Sequence, residues 1–248
     1  MREPFDRINL LTLREIGRKI ERDAATFAWK DDLWNWPPRR PEVFGRVTFF
    51  RMFASNTQRG FDPKNGPTTP EGIEQERQKW VAAHLRVQDH IARGETPTFE
   101  RIAGLNEIFG HRIRNRSLHE RFRCFDIEDL PEAIQFFDRW YHDLDKLKVW
   151  PVQKATLVAS YLLAVHPFEN GNGRTSRLVL DWILGLHNLP PVSFLNRIQA
   201  LLSRSPLVWD TPHHIAVKKV LSGLHTTLRL VEGSDVFDEQ NIPAKYLA

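Results

Sequence analysis

With a single cysteine, Cys124, the chain has no partner for an intramolecular disulfide, which suits a reducing compartment. Long apolar runs are also missing. The longest, TLVASYLLAV at 156–165, is half the ~20 residues that a membrane-spanning helix needs. The opening MREPFDRINLLTLREIGRKIERD has no uninterrupted apolar stretch and no small-residue cleavage site, so no signal peptide is expected. Clear period-two alternation and internal repeats are absent too, and no G-x-x-x-x-G-K-(S/T) phosphate loop occurs. The negatives point to a cytoplasmic protein with no membrane partner, and they leave a secreted effector open.

What is present is ordinary globular material. Of 248 residues, 41% are hydrophobic and 27% charged, enough for one sizeable core or two modest domains. Net charge is +4, from 35 basic and 31 acidic residues, and the sequence pI is near 9.3. That raises nucleic acid as a partner, but the charges are mostly interspersed. The one dense basic segment, HRIRNRSLHERFR at 111–123, has few aromatics between its arginines. It is a thin footprint, and nucleic-acid binding is not expected.

Helical spacing dominates. Leu10, Leu13, Ile16 and Ile20 recur three or four residues apart, predicting a helix over 9–29 with these residues on its inner face. Three prolines break the pattern between 32 and 42. Further helices are expected over 43–60, 69–92, 96–110, 131–147, 152–165, 174–187, 193–203 and 213–230. Pro70 and Pro97 sit near two of the starts, as helix beginnings favour. Trp140 and Trp182 are expected in the core, and Trp29, Trp34 and Trp36 should pin the proline-rich connection beside them. The fold expectation is all-α, with 113–125 as the place for a short β-hairpin.

One stretch departs from this pattern, HPFENGNGRTSR at 166–177. Pro167 pushes His166 away from helical geometry where the preceding apolar helix ends. Gly171-Asn172-Gly173 lets backbone N–H groups approach a ligand, and the helix start that follows favours an anion. Arg174 and Arg177 lie one turn apart at that start, where positive charge is ordinarily disfavoured. Two cations there are tolerable if an anion normally sits between them, and a phosphate chain is the natural candidate. A dinucleotide fingerprint fails because Ser176 takes the third glycine position, and His166 has no partner at metal-ligand spacing.

The stretch resembles the signature of Fic-domain proteins, H-P-F-x-(D/E)-G-N-G-R-x-x-R, departing at one specified position, Asn170. The similarity extends over roughly 96–201 and implies a Fic-type helical bundle. It implies a protein adenylyltransferase, moving AMP from ATP to a Ser, Thr or Tyr hydroxyl of a target protein. His166 would be the general base. Asn172 and the loop amides, with Gly171 and Gly173, would hold the α-phosphate, Arg174 the β-phosphate and Arg177 the γ-phosphate. Phe168, after Pro167, would anchor the loop in the core. The basic segment would be the flap that aligns the target by strand-like pairing.

Asn170 stands where the family places an acidic Mg²⁺ ligand, and Glu169 lies one residue early. Because a hard cation prefers a carboxylate, the departure leaves three alternatives. They are weakened AMP transfer, transfer of a different phosphate-containing group, and a nucleotide- or partner-binding homologue without activity. Many family members also carry an inhibitory (S/T)-x-x-x-E-(G/N) helix. SNTQRG at 55–60 supplies Ser55 and Gly60 but has Arg59 in the glutamate position, so no inhibitory clamp of the usual type is expected. Thr96–Glu100 and Glu232-Gly233 match only in part. The domain expectation is a helical region at 1–95 with its regulatory helix near 46–60, a core at 96–205, and a C-terminal helix and tail at 206–248. A homodimer stays open.

Overall fold

The computed structural model describes residues 10–26, 29–35, 37–56, 69–117, 125–194 and 213–233. Among them are nine helices and one isolated antiparallel bridge. The helices are α1 (Leu10–Thr26), α2 (Trp29–Leu33), α3 (Pro41–Asn56), α4 (Pro70–Ala92), α5 (Phe99–Glu107), α6 (Leu130–Lys146), α7 (Pro151–Val165), α8 (Asn172–Leu186) and α9 (His213–Val231). The protein is all-α, as its spacing predicts. No helix among the described residues is long and apolar enough to cross a membrane.

Local chemistry accounts for the helix starts. Thr69 caps α4 by accepting from the Gly72 N–H at 3.1 Å, and Pro70 follows at the first helical position. Thr98 does the same for α5 through the Arg101 N–H. Proline also opens the first turns of α6 and α7. Proline there loses no hydrogen bond, because first-turn N–H groups have no intrahelical acceptor.

Helix α8 is the axis. Leu178, Val179, Leu180, Trp182, Ile183 and Leu184 are all buried, so it is enclosed on every side rather than amphipathic. Helix α7 forms a helical hairpin with it, and α4 and α5 pack on its other faces. Helix α9 joins α1, α3 and α7. The hairpin's connection, 166–171, therefore emerges at one end of the most buried pair in the fold.

Several expectations change in detail. In α1 the inner stripe is Leu13, Gly17, Ile20 and Ala24, and Ile16 is exposed at 40%. Gly17 sets that rotation, since a Cβ there would come within 2.2 Å of the Trp150 ring. The break in the pattern contains a short helix, α2, whose buried Trp29 donates from its indole to the Ala24 carbonyl at 2.7 Å. Trp34 bonds the Leu189 carbonyl and stacks on His84, so both tryptophans pin the connection; Trp36 lies outside the described residues. Trp182 is in the core, whereas Trp140 is partly buried at its edge. Ser193 and Phe194 are not helical, and the rest of the helix expected at 193–203 lies outside the described residues.

Strand pairing occurs where 112–114 runs beside the signature stretch. The Arg114 N–H donates to the Pro167 carbonyl and the Glu169 N–H to the Arg112 carbonyl, both at 2.9 Å. The bridge thus joins Ile113 to Phe168. Residues 118–124, in which a hairpin would close, lie outside the described residues.

Candidate active site

The loop between α7 and α8 begins with a residue in a rare conformation. His166 caps α7 at φ +52° and ψ +55°, the left-handed region, which costs a non-glycine residue about 1–2 kcal/mol. Pro167 explains why α7 stops there, since the helical conformation of a residue preceding proline is crowded. The His166 N–H still donates to the Leu162 carbonyl at 3.0 Å. The turn then carries Phe168 inward, where it stacks on Phe99 with ring centroids 6.0 Å apart.

Asn172 closes the loop on itself. Its Oδ1 accepts from the Phe168 N–H at 3.0 Å, and its Nδ2 donates to the Phe168 carbonyl at 2.8 Å. The buried side chain is therefore committed to the loop backbone. Gly171, at φ +78°, is the N-cap residue of α8. A side chain there would be strained and would also strike Asn106 Nδ2 at 2.7 Å and His111 Cδ2 at 3.0 Å. This capped turn starts α8 at Asn172, two residues before the expected position. Gly171 offers the helix no side-chain cap, and the first-turn N–H groups and dipole favour an anion.

The two arginines occupy different settings. Arg174 is paired with Glu76 of α4 at 2.5 Å, reaches His111 Nε2 at 3.0 Å and lies over the Phe109 ring at 4.7 Å. A guanidinium can only donate, so the imidazole nitrogen is the accepting partner in this contact. Arg177, one turn later, is 6% exposed.

At the proposed metal position, Asn170 Oδ1 accepts from the Gly171 N–H at 2.8 Å. Glu169 meets Arg112 at 3.2 Å. Among the described residues no group of three or more His, Cys, Asp or Glu side chains could hold a metal ion.

Burial pushes the His166 imidazole below its ordinary pKa. A hydrogen bond to the Leu163 carbonyl opposes that shift, and the nearby Arg114 cation adds to it. The ring is thus kept in its neutral form, ready to accept a proton near neutral pH.

The fold brings His166, Pro167, Phe168 and Asn170 to Arg177 into one loop and helix start. Ser55 lies on α3, a helix whose side chains from residue 49 onward are not described, and Arg59 and Gly60 lie outside the described residues. Sequence reasoning missed several supporting residues. Buried Asn106 on α5 donates from Nδ2 to the Asn170 carbonyl at 3.1 Å and to Thr175 Oγ1 at 2.9 Å. The signal was an asparagine at the spacing of Ile102, Leu105 and Phe109 on an apolar face. Glu76 and Arg114 carried no comparable signal, because both sit among other charged residues in the sequence.

Comparison with known proteins follows this geometry. The Fic/DOC family profile matches residues 83–184. The protein adenylyltransferase fic-1 of Caenorhabditis elegans is 35% identical over 82 residues, 33% of this chain and 16% of that protein. The protein adenylyltransferase Fic of Drosophila sechellia is 41% identical over 64 residues, 26% of this chain and 13% of that protein. The matches thus span about a sixth or less of these relatives' lengths. A Fic domain-containing signaling protein from Bacteroides thetaiotaomicron shares the fold, with a TM-score of 0.62 at 15% identity, covering 91% of this chain and 98% of that one.

Proposed function

We propose that the protein, whose residues 83–184 match the Fic/DOC family profile, transfers AMP from ATP to a hydroxyl side chain of a target protein. One observation carries the reading: a neutral, left-handed His166 stands at the end of α7, six residues before the anion-favouring start of α8. The named activity of the two relatives, protein adenylyltransferase, supports the same chemistry.

In this reaction His166 accepts the proton of a Ser, Thr or Tyr hydroxyl as its oxygen bonds to the α-phosphorus. The bond from that phosphorus to the bridging oxygen breaks, and pyrophosphate leaves. The first-turn amides of α8 hold the α-phosphate, with Asn172 acting through the loop shape it enforces. Arg174 and Arg177 neutralise charge further along the phosphate chain, so catalysis is positioning plus electrostatics. The donor set does not fit Mg²⁺ well, because Asn170 is neutral and Glu169 is engaged with Arg112. No step here is routed through a metal.

The target would add as a strand beside 112–114. That segment uses the Arg114 N–H and Arg112 carbonyl toward the loop. Alternation of backbone groups turns those of Ile113, 42% exposed, toward the other edge.

A second reading is favoured by the Arg174–Glu76 pair together with Asn170. Both lower the cradle's affinity for a metal-bound triphosphate, which would suit a binding protein or the transfer of another phosphate-containing group. Purified protein incubated with lysate and ATP labelled at the α- or the γ-phosphate decides between them. Label only from α-labelled ATP, lost in His166→Ala, is the expected result. Label only from γ-labelled ATP would mean kinase-type chemistry. Nucleotide binding without either label would favour the second reading.

A further inference from the structure

We propose that Arg114 is a positioning residue for His166, tying the His166 carbonyl to the backbone at Arg116 and at Phe125–Asp126. The inference rests on the reading of His166 as the proton acceptor.

Arg114 lies in the densest basic stretch of the chain, yet it is 3% exposed. Its Nε donates to the His166 carbonyl at 2.9 Å, and Nη1 to the Arg116 carbonyl at 3.3 Å. Nη2 donates to the carbonyls of Phe125 and, at 3.5 Å, Asp126. One planar fork therefore gathers three pieces of backbone: the carbonyl of Arg116, those of Phe125 and Asp126, and that of His166 in the loop. Its own backbone N–H adds a fourth tie, to the Pro167 carbonyl.

Two features separate this from an ordinary packing contact. First, His166 holds a conformation that costs energy for any residue but glycine, so something must over-determine it. The Leu162 carbonyl holds the N–H on one side of the residue, and Arg114 holds the carbonyl on the other. Second, Arg114 has no carboxylate partner among the described residues. A buried cation satisfied only by neutral carbonyls is costly to keep, and its uncompensated field falls on the imidazole, opposing protonation.

Charged groups on the neighbouring elements, among the described residues, sit in other settings. Glu169 and Arg112 of the strand pairing meet each other, Arg174 meets Glu76, and Arg177 is buried further along α8. Among the described residues, the Arg114 cation adds to burial in lowering the pKa of the His166 ring. It thus serves two ends, geometry through its fork and a neutral base through its charge.

Those ends separate in two variants. Arg114→Lys keeps the charge but cannot span three segments. Arg114→Gln removes the charge and keeps some donors. The ring titration of His166 is followed by NMR on histidine-labelled protein, with the resonance assigned by its loss in His166→Gln. Transfer from α-labelled ATP is measured in parallel as a function of pH.

Arg114→Gln is expected to raise the His166 midpoint and to move the acid limb of the transfer rate upward with it. Arg114→Lys is expected to leave the midpoint in place and slow transfer roughly tenfold or more at every pH, as a misplaced base does. An unchanged midpoint in folded Arg114→Gln overturns the proposal, and so does an Arg114→Lys protein that transfers at the full rate. If Arg114→Gln does not fold, the lysine variant decides. Shifted titrations in a protein that transfers no label would retain the Arg114 assignment and reject the proposed reaction.

Discussion

The Arg174 guanidinium and the Glu76 carboxylate meet at 2.5 Å with both side chains largely shielded, at 15% and 13% exposed. Glu76 comes from α4, 98 residues earlier in the chain, and reaches across to the start of α8. An anion binding at that start must share Arg174 with the carboxylate or displace it.

Removing the competition should therefore help the nucleotide. A partly shielded pair of this kind is worth on the order of 1 kcal/mol, about fivefold in affinity. Glu76→Gln is expected to tighten ATP binding about fivefold while lowering stability by a similar energy. Calorimetric titration and denaturant unfolding check the two halves. Unchanged binding alongside reduced stability would show that the pair holds α4 without competing for the phosphates.

Asn172 offers a different separation. Truncating it to alanine strands the N–H and the carbonyl of buried Phe168, at a combined cost of about 2–6 kcal/mol. Asn172→Asp keeps the acceptor for the N–H and loses the donor to the carbonyl, so its loss should be intermediate. Urea unfolding of the two variants gives the order. Equal stability of both with the wild type would mean that the loop does not depend on this closure.

Asn170→Asp should lower the Mg²⁺ concentration that half-saturates transfer, because a carboxylate replaces a neutral amide whose oxygen already lies in the loop, against the Gly171 N–H. Metal titrations of labelled-AMP transfer provide the comparison. An identical requirement in the two proteins would remove residue 170 from any account of metal binding.

Acid should destabilise the fold through its histidines. Burial is the first cause lowering His166, His187 and His213. Arg114 lowers His166 further, Lys154 lowers His187 and His214 lowers His213, whereas the Leu163 carbonyl opposes the shift at His166, and Asp145 and Glu21 oppose it at His187. Above about pH 6.5 these rings are neutral in both folded and unfolded chains and contribute no slope. Below it the unfolded chain takes up protons first, so stability falls as pH drops from about 6.5 through the lower folded-state values. Denaturation midpoints across pH 5–8 follow the effect. In His166→Gln the acid loss should be shallower, and an identical slope would show that His166 does not contribute.

The helical class and most helix starts were legible because they depend on contacts within a few residues. Thr69, Thr98 and the first-turn prolines act on their own turns, and the crowding before Pro167 acts on one neighbour. The facing of α1 was not legible. Leu13, Ile16 and Ile20 fit one helical stripe as well as Leu13, Gly17, Ile20 and Ala24 do, and the Trp150 ring against Gly17 settles which stripe turns inward.

The candidate site divides along the same line. From sequence order come the helix stop at His166, the glycine turn at Gly171, and two arginines one turn apart on α8, since short-range sterics and the 3.6-residue period suffice for each, whereas the left-handed form of His166 is seen only in the fold. Their environment belongs to packing across long separations. Asn106 reaches the Asn170 carbonyl from 64 residues away, Arg114 the His166 carbonyl from 52, and Glu76 joins Arg174 from 98. A charged residue read in sequence carries no sign of whether it will meet water, a carbonyl or an opposite charge. That choice is made when helices close over α8 and exclude the solvent that would otherwise answer every one of those groups alike.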